Sequence, residues 1–381
     1  MSQWAEAERK ELPALGGAAP ESASAEDALS AGLRLSLPAV TGRAVLVLAA
    51  LWLFILALQL IKTGAGGLRP LLDDISAGGI PGHLGFGWLG AYLVMSGSPV
   101  AAVALSLFAG GVTSDLETFA MINGSRLGAS LIVLVVGFVS YLRGSRNPDG
   151  LYIGVVALLT ALTLWAPVVP LGLLVLDQGW LDSLQFATPG GLSTAVGFAS
   201  DPVVDPLRQA LPALLLFGVG IGTLVGSFGL FDRALPDLDR PDPRIEALSR
   251  ALQKRYAMFA FGTLMTLLTL SVSLSVTLLV PLALKGYLRR DKVIPYVMGA
   301  NIATWVDTLF AAVLLNSPRA FTIVFTEMIT GALVSGLVLV FFYGPYTRAI
   351  LWAAHRVASG RANLALFLGA FFAVPFLLLL A

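Results

Sequence analysis

Cysteine is absent from the 381 residues, so no disulfide framework, thiolate nucleophile or cysteine-based zinc site can form. Histidine is nearly absent, and the two present, His83 and His355, lie far apart in sequence. No His-Glu-x-x-His, Gly-x-Ser-x-Gly, P-loop or EF-hand spacing occurs. Charge is scarce as well. Asp, Glu, Lys and Arg supply 12% of the chain, against about 25% in a soluble domain. The net charge of +1 gives no global field that would attract nucleic acid. What fills the chain instead is apolar: 57% of residues are hydrophobic and the mean hydropathy is +0.84. That much apolar surface has to face lipid.

Residues 1–43 are the exception, being rich in Ala, Ser and acidic residues and free of an apolar run. They lack the basic start and apolar stretch of a cleavable signal peptide and read as a disordered tail. Beyond them stand nine apolar stretches: Ala44–Lys62, Leu84–Gly110, Leu116–Leu142, Leu151–Leu176, Leu207–Phe231, Tyr256–Leu284, Val293–Asn316, Phe321–Tyr343 and Leu364–Ala381. A helical crossing needs about 20 apolar residues. Two of the nine are interrupted, one at Ser96-Gly97-Ser98-Pro99 and the other around Ser271-Val272-Ser273-Leu274-Ser275. Irregular backbone at membrane depth survives only where protein or a wet cavity covers it. Both interrupted stretches are therefore expected to be re-entrant helical hairpins, which leaves seven full crossings.

The basic residues support that arrangement. With the N-terminus cytoplasmic, all but five of the 24 Lys and Arg fall in 1–43, 143–150, 232–255, 285–292 and 344–363, all on the inside. The five are Lys62, Arg69, Arg126, Arg208 and Arg319. The long segment 177–206, assigned outside, has four Asp and no Lys or Arg. Letting both hairpins cross would move Arg143, Arg146 and the basic loop 232–255 outside, against the resistance of positive residues to translocation.

Two blocks share one order: a span, an interrupted hairpin, a segment with a polar Gly motif, and a further span. At an offset of 175 (299 − 124), Gly124 meets Gly299, Ser96 meets Ser271, Ser98 meets Ser273 and Gly111 meets Gly286. Three crossings per block invert the second copy. The expected fold is thus an all-α polytopic membrane protein of two inverted repeats, 44–176 and 207–343, joined by an extracytoplasmic loop, 177–206. A cytoplasmic loop and final transmembrane helix occupy 344–381. Inverted repeats with broken helices are a common transporter architecture.

The second block carries Gly299-Ala300-Asn301-Ile302-Ala303-Thr304, and the first carries Gly124-Ser125-Arg126-Leu127-Gly128-Ala129. In these motifs the chain resembles the type II sodium-dependent phosphate cotransporters, which repeat a Gly-Ala-Asn-Ile-Gly-Thr motif preceded in each copy by Gln-Ser-Ser-Ser. The serine positions correspond to Met95–Ser98 and Leu270–Ser273, neither copy keeps the glutamine, and Arg126 stands where the family has Asn. The resemblance covers about residues 45–345. It implies Na⁺-coupled uptake of inorganic phosphate through a plasma membrane by alternating access, with no enzymatic activity, cofactor or resident metal.

The residues themselves suit that chemistry. Helix N-termini brought to mid-membrane offer free N–H groups to an anion. Ser96, Ser98, Arg126, Ser271, Ser273, Asn301 and Thr304 are the candidate substrate ligands. Ser275, Thr277 and Asp307 are the candidate ion ligands. Any one of these hydroxyls can instead bond the preceding helical turn. Arg126 and Asp307 are intramembrane charges, which usually face a cavity or each other. Arg126 is assigned fixed positive charge for an oxyanion, in place of one Na⁺. Asp307 either pairs with it or holds a cation or proton. Two further readings stay open: the same fold carrying another small anion or coupled to H⁺, and a non-transporting regulatory membrane protein. Sequence does not decide the oligomeric state.

Smaller features complete the reading. Ser114 and Glu117 have capping-box spacing. Gly218, Gly222 and Gly226 permit close helix packing. Lys62 is expected to snorkel to the interface, His83 to lie in an exposed loop, and Trp52, Trp88 and Trp352 to mark the membrane interfaces.

Overall fold

Backbone in hydrocarbon has no water to bond, so each apolar run must satisfy its own N–H and C=O groups as a helix. The computed structural model describes residues 37–68, 79–140, 149–186, 188–234, 254–269, 275–276 and 289–381, and every regular element among them is helical. Contacts divide the chain into Met1–Val45 and Leu46–Ala381. In the first unit the described residues are the opening turns of α1, so helix begins at Leu37, inside the segment expected as tail. The second unit contains everything that follows.

The elements are α1 (Leu37–Gly64, continued by a 3₁₀ turn Ala65–Leu68), α2 (Gly79–Val94), α3 (Gly97–Ala109), α4 (Asp115–Ala129) and α5 (Leu131–Ser140). After them come α6 (Asp149–Asp177), α7 (Gly190–Ala210), α8 (Ala213–Ala234) and α9 (Arg255–Thr269). The last are α10 (Arg290–Ala303), α11 (Trp305–Leu314), α12 (Pro318–Leu337), α13 (Tyr343–Ala358) and α14 (Arg361–Leu379). Among the described residues, seven helices are long and apolar enough to cross a membrane: Gly42–Leu68, Asp115–Val135, Gly150–Asp177, Ala213–Phe231, Arg290–Leu314, Pro318–Ala358 and Ala362–Leu379. They coincide with the seven stretches expected to cross. The chain is a multi-pass α-helical membrane protein. Outward-facing apolar side chains such as Leu366, Phe376 and Leu377 on α14 and Phe341 beside α13 are what lipid contact requires.

The interrupted stretches behave differently. At 1.5 Å per residue, α2 with 16 residues and α3 with 13 reach about 24 and 20 Å, short of the roughly 30 Å hydrocarbon core. Between them Met95 has φ of 54° and Ser96 is extended. The two helices pack on each other and on α4. In the second stretch α9 packs along α10, while 270–274 and 277–288 lie outside the described residues.

Glycine makes both pairings possible. A β-carbon at Gly87 would collide with the Met121 carbonyl oxygen, and one at Gly124 with that of Leu84. In the other pair, a β-carbon at Gly262 would collide with the Tyr296 carbonyl oxygen and one at Gly299 with that of Phe259. Every partner in one pair has its counterpart 175 positions away in the other (262 − 87, 299 − 124, 296 − 121, 259 − 84). α6 touches both α4 and α10. Its Val155, Leu158 and Trp165 share a core cluster with Trp88, Tyr296 and Trp305.

Polar groups gather at the two helix ends. At one end Arg319, opening α12, binds both Asp115, opening α4, and Asp182. At the other, Arg290 lies over the Tyr152 ring, Arg255 lies over the Tyr343 ring, and the Tyr343 hydroxyl donates to the Asp291 carbonyl. The capping box at Ser114 and Glu117 forms as expected.

Several expectations need correction. The segment 177–206 holds most of α7, whose Asp201, Asp205 and Arg208 kept it from reading as a helix. The loop expected at 344–363 is largely α13, amphipathic, with Thr347, Ile350 and Ala354 inside and Arg348, His355 and Arg356 outside. A π-helical turn, Val338–Phe342, joins it to α12. Gly218, Gly222 and Gly226 meet no neighbour; the packed glycine of α8 is Gly220, against Ile61. His83 is buried in α2, its Nδ1 bonded to the Gly79 carbonyl at 2.8 Å. Trp88 is buried, with Nε1 donating to Tyr92 Oη at 2.7 Å. Lys62 points inward: with Gln59 it donates to the Leu315 and Leu314 carbonyls, placing a cation at the negative end of α11.

Candidate functional site

Two helices break where the polar Gly motifs end. α4 stops at Ser130 (φ −62°, ψ −19°) and α10 at Thr304 (φ −64°, ψ −17°). The two breaks share one chemistry. Ser130 Oγ donates to the Leu127 carbonyl at 2.5 Å, and Thr304 Oγ1 donates to the Asn301 carbonyl at 2.6 Å. Such back-bonding occupies a backbone acceptor and bends a helix. The bends face the break between α2 and α3. There Ser96 caps α3 without a side-chain bond to the helix, so its hydroxyl leaves the Gly97 and Ser98 amides and the positive end of the helix dipole turned to this break.

These breaks surround one cavity of about 680 Å³. Ser96, Gly97 and Ser98 line it from the first interrupted stretch, and Thr269 and Val276 from either side of the second. Arg126 and Ser130 come from α4 and its end, and Asn301, Thr304 and Asp307 from α10 and α11. The remaining wall is apolar, with Phe54 of α1, Phe228 of α8, Trp165 of α6 and Phe310 of α11. A concave, mostly apolar site with a few converging polar groups is the usual form of a small-molecule site.

The charges sit at its inner edge. Arg126 is 6% exposed. Its Nε lies 3.3 Å from Glu327 Oε1 of α12, and its Nη2 donates to Thr308 Oγ1 at 2.8 Å. Thr308 Oγ1 in turn donates to Asp307 Oδ1 at 2.9 Å. Arg126 therefore pairs directly with Glu327 and reaches Asp307 only through Thr308. The Ser98 hydroxyl stands beside the Asp307 carboxylate. Four enclosed atoms have no hydrogen-bond partner: Asp307 Oδ2, Glu327 Oε2, Asn301 Nδ2 and Trp305 Nε1. The Trp305 indole lies near the Glu327 carboxylate without completing a bond to Oε2. Its ring is fixed edge-on to Trp165 at 5.7 Å and fills the space left by Gly331.

Of the nominated residues, Ser96, Ser98, Arg126, Asn301, Thr304 and Asp307 share this cavity. Ser275 does not: it is buried and exchanges hydrogen bonds with the Tyr296 side chain, both at 2.9 Å. Ser271, Ser273 and Thr277 lie outside the described residues. Glu327 escaped sequence reasoning. The signal was present, because it is the sole charged residue of the apolar stretch Phe321–Tyr343, and an intramembrane charge is a functional candidate by default.

Compared with protein-family models, curated proteins and solved structures, the chain has no match.

Proposed function

We propose that the chain is a secondary active transporter for a small oxyanion, inorganic phosphate by its resemblance to the type II sodium/phosphate cotransporters, driven by a cation gradient. One observation carries the reading. Six polar residues picked from two separate stretches of sequence line a single cavity between broken helices, with a helix N-terminus and a guanidinium facing it. The helix end and Arg126 suit an oxyanion.

The paired glycine contacts at a constant spacing of 175 (299 − 124) support two repeats of one design, and three crossings per repeat make the second inverted. The short, packed helices α2 and α3 support the first re-entrant hairpin. Transport follows by rocking one bundle against the other around the fixed site. Arg319, Asp115 and Asp182 mark the extracytoplasmic end. Arg255 and Arg290 mark the cytoplasmic end, which also holds the N-terminus, in a plasma membrane.

The test is uptake of radiolabelled phosphate by the purified full chain in liposomes, with external Na⁺ or with K⁺ in its place. Na⁺-stimulated accumulation above protein-free liposomes is the expected result. No phosphate uptake under any cation or pH gradient would leave a regulatory membrane protein as the better reading. Coupling to H⁺ is the second reading, favoured by the ion cluster beside the cavity.

A further inference from the structure

The buried cluster holds two carboxylates and one guanidinium, so with all three ionised it carries one negative charge too many. The two carboxylates do not share that excess equally. Asp307 lies on the cavity surface, accepts a hydrogen bond from Thr308 at 2.9 Å and has the Ser98 hydroxyl beside it. Glu327 is 0% exposed and is not part of the cavity lining. Among the described residues its charge contact is the 3.3 Å approach of Arg126 Nε to Oε1, and its Oε2, like Asp307 Oδ2, has no partner. From α11 it faces the Trp305 indole and the negative Asp307, and from α4 it faces Arg126. α6, packed on α12, brings the Trp165 ring, which does not titrate. Enclosure separates the two carboxylates: an ionised carboxylate shut away from the cavity with one oxygen unmet costs more than one on the cavity surface with two hydroxyls beside it. Glu327 is the former, and its neutralisation leaves Arg126 and Asp307 balanced.

We propose that Glu327 is a proton-binding position, and that its protonation frees Arg126 for the substrate anion, so that one proton accompanies each anion. The coupling rests on the transport reading above; proton binding at Glu327 does not. The step balances without a further reactant. Where Arg126, which lines the cavity, swings aside from Glu327, water reaches the carboxylate and a hydronium ion gives it a proton, forming an O–H bond and leaving water. The ion pair with Arg126 is lost, and an oxygen of the anion becomes the new partner of the guanidinium. Departure of the anion on the other side restores the ion pair and expels the proton.

Two measurements on the purified full chain test this. The first needs no substrate: infrared difference spectra between acidic and alkaline buffer. Wild type is expected to show the carbonyl band of a protonated carboxylic acid. Glu327→Gln loses it, and Glu327→Asp keeps it at an altered frequency. The aspartate variant covers the case in which Glu327→Gln does not fold. No titrating band in wild type, or a band unchanged in Glu327→Gln, overturns the assignment.

The second is phosphate uptake into Na⁺-free liposomes with a pyranine reporter inside. One proton per anion gives about tenfold more accumulation for each pH unit of inward gradient, together with lumenal acidification. Uptake that follows Na⁺ and ignores pH overturns the coupling while the transport reading stands. The Glu327 band without any phosphate uptake does the reverse: the proton site stands and phosphate falls.

Discussion

Among the described residues Arg126 is the one basic side chain on the lining of the cavity, and its position is fixed by contacts at two of its nitrogens, to Glu327 and Thr308. A buried guanidinium between two carboxylates is costly to remove, because both negative charges are then left in low dielectric. Arg126→Gln is expected to destabilise the protein by about 3–5 kcal/mol, read as a lower thermal midpoint in detergent. Adding Glu327→Gln to it should recover part of that loss, since one stranded charge is taken away. Two isolated losses that simply add would mean that the pair does not interact. Arg126 and Asp307 were legible in the sequence as charges inside apolar stretches. Their geometry was not. Nothing in the spacing says that Thr308 stands between them, or that α12 supplies the closer carboxylate. Glu327 was passed over because its surroundings read as an ordinary apolar span.

Helix pairs depend on backbone contact at a few positions. At Gly124 a side chain would meet the Leu84 carbonyl oxygen, a backbone atom that cannot move aside. Gly124→Ala, and its counterpart Gly299→Ala, should each cost about 1–3 kcal/mol through overpacking and lower the yield of folded protein on size-exclusion chromatography. Gly218→Ala and Gly222→Ala, with nothing within 4 Å, are the controls and should leave it unchanged. All seven crossing helices were legible, since length and apolarity alone specify them. α7 and α13 were not. Each mixes charged residues with apolar ones, so hydropathy fades where helix continues. The run Gly218, Gly222 and Gly226 misled in the other direction: small residues allow close packing but do not say which face of α8 receives a neighbour. The turn to α3 was legible from Ser96-Gly97-Ser98-Pro99, and Met95, with φ of 54°, is the residue that adopts the left-handed backbone. A β-carbon at that φ carries steric strain.

At the scale of the whole molecule, Arg319 with Asp115 and Asp182 stands at one end of the helices, and Arg255 and Arg290 with their tyrosines at the other. The lack of cysteine makes sidedness easy to measure, because a single introduced thiol has no background. Ser183→Cys and Ser359→Cys, both at exposed positions, should react from opposite sides. In intact cells an impermeant maleimide labels the first, and it labels the second only after permeabilisation. Labelling of both from one side would refute the assigned topology. One feature connects the two ends through the site. Pro318–Ala358 is an unbroken helix of 41 residues, with Arg319 near its first turn, Glu327 beside the cavity and the amphipathic α13 beyond the π turn. On the proton-binding proposal it would act as a lever. Loss of the Glu327–Arg126 pair would free the shaft to tilt, and the wide turn at Val338–Phe342 is where such a shaft would bend. A proton bound near one end would then be felt as displacement at the far tip, about 45 Å from Glu327 at the usual rise of a helix.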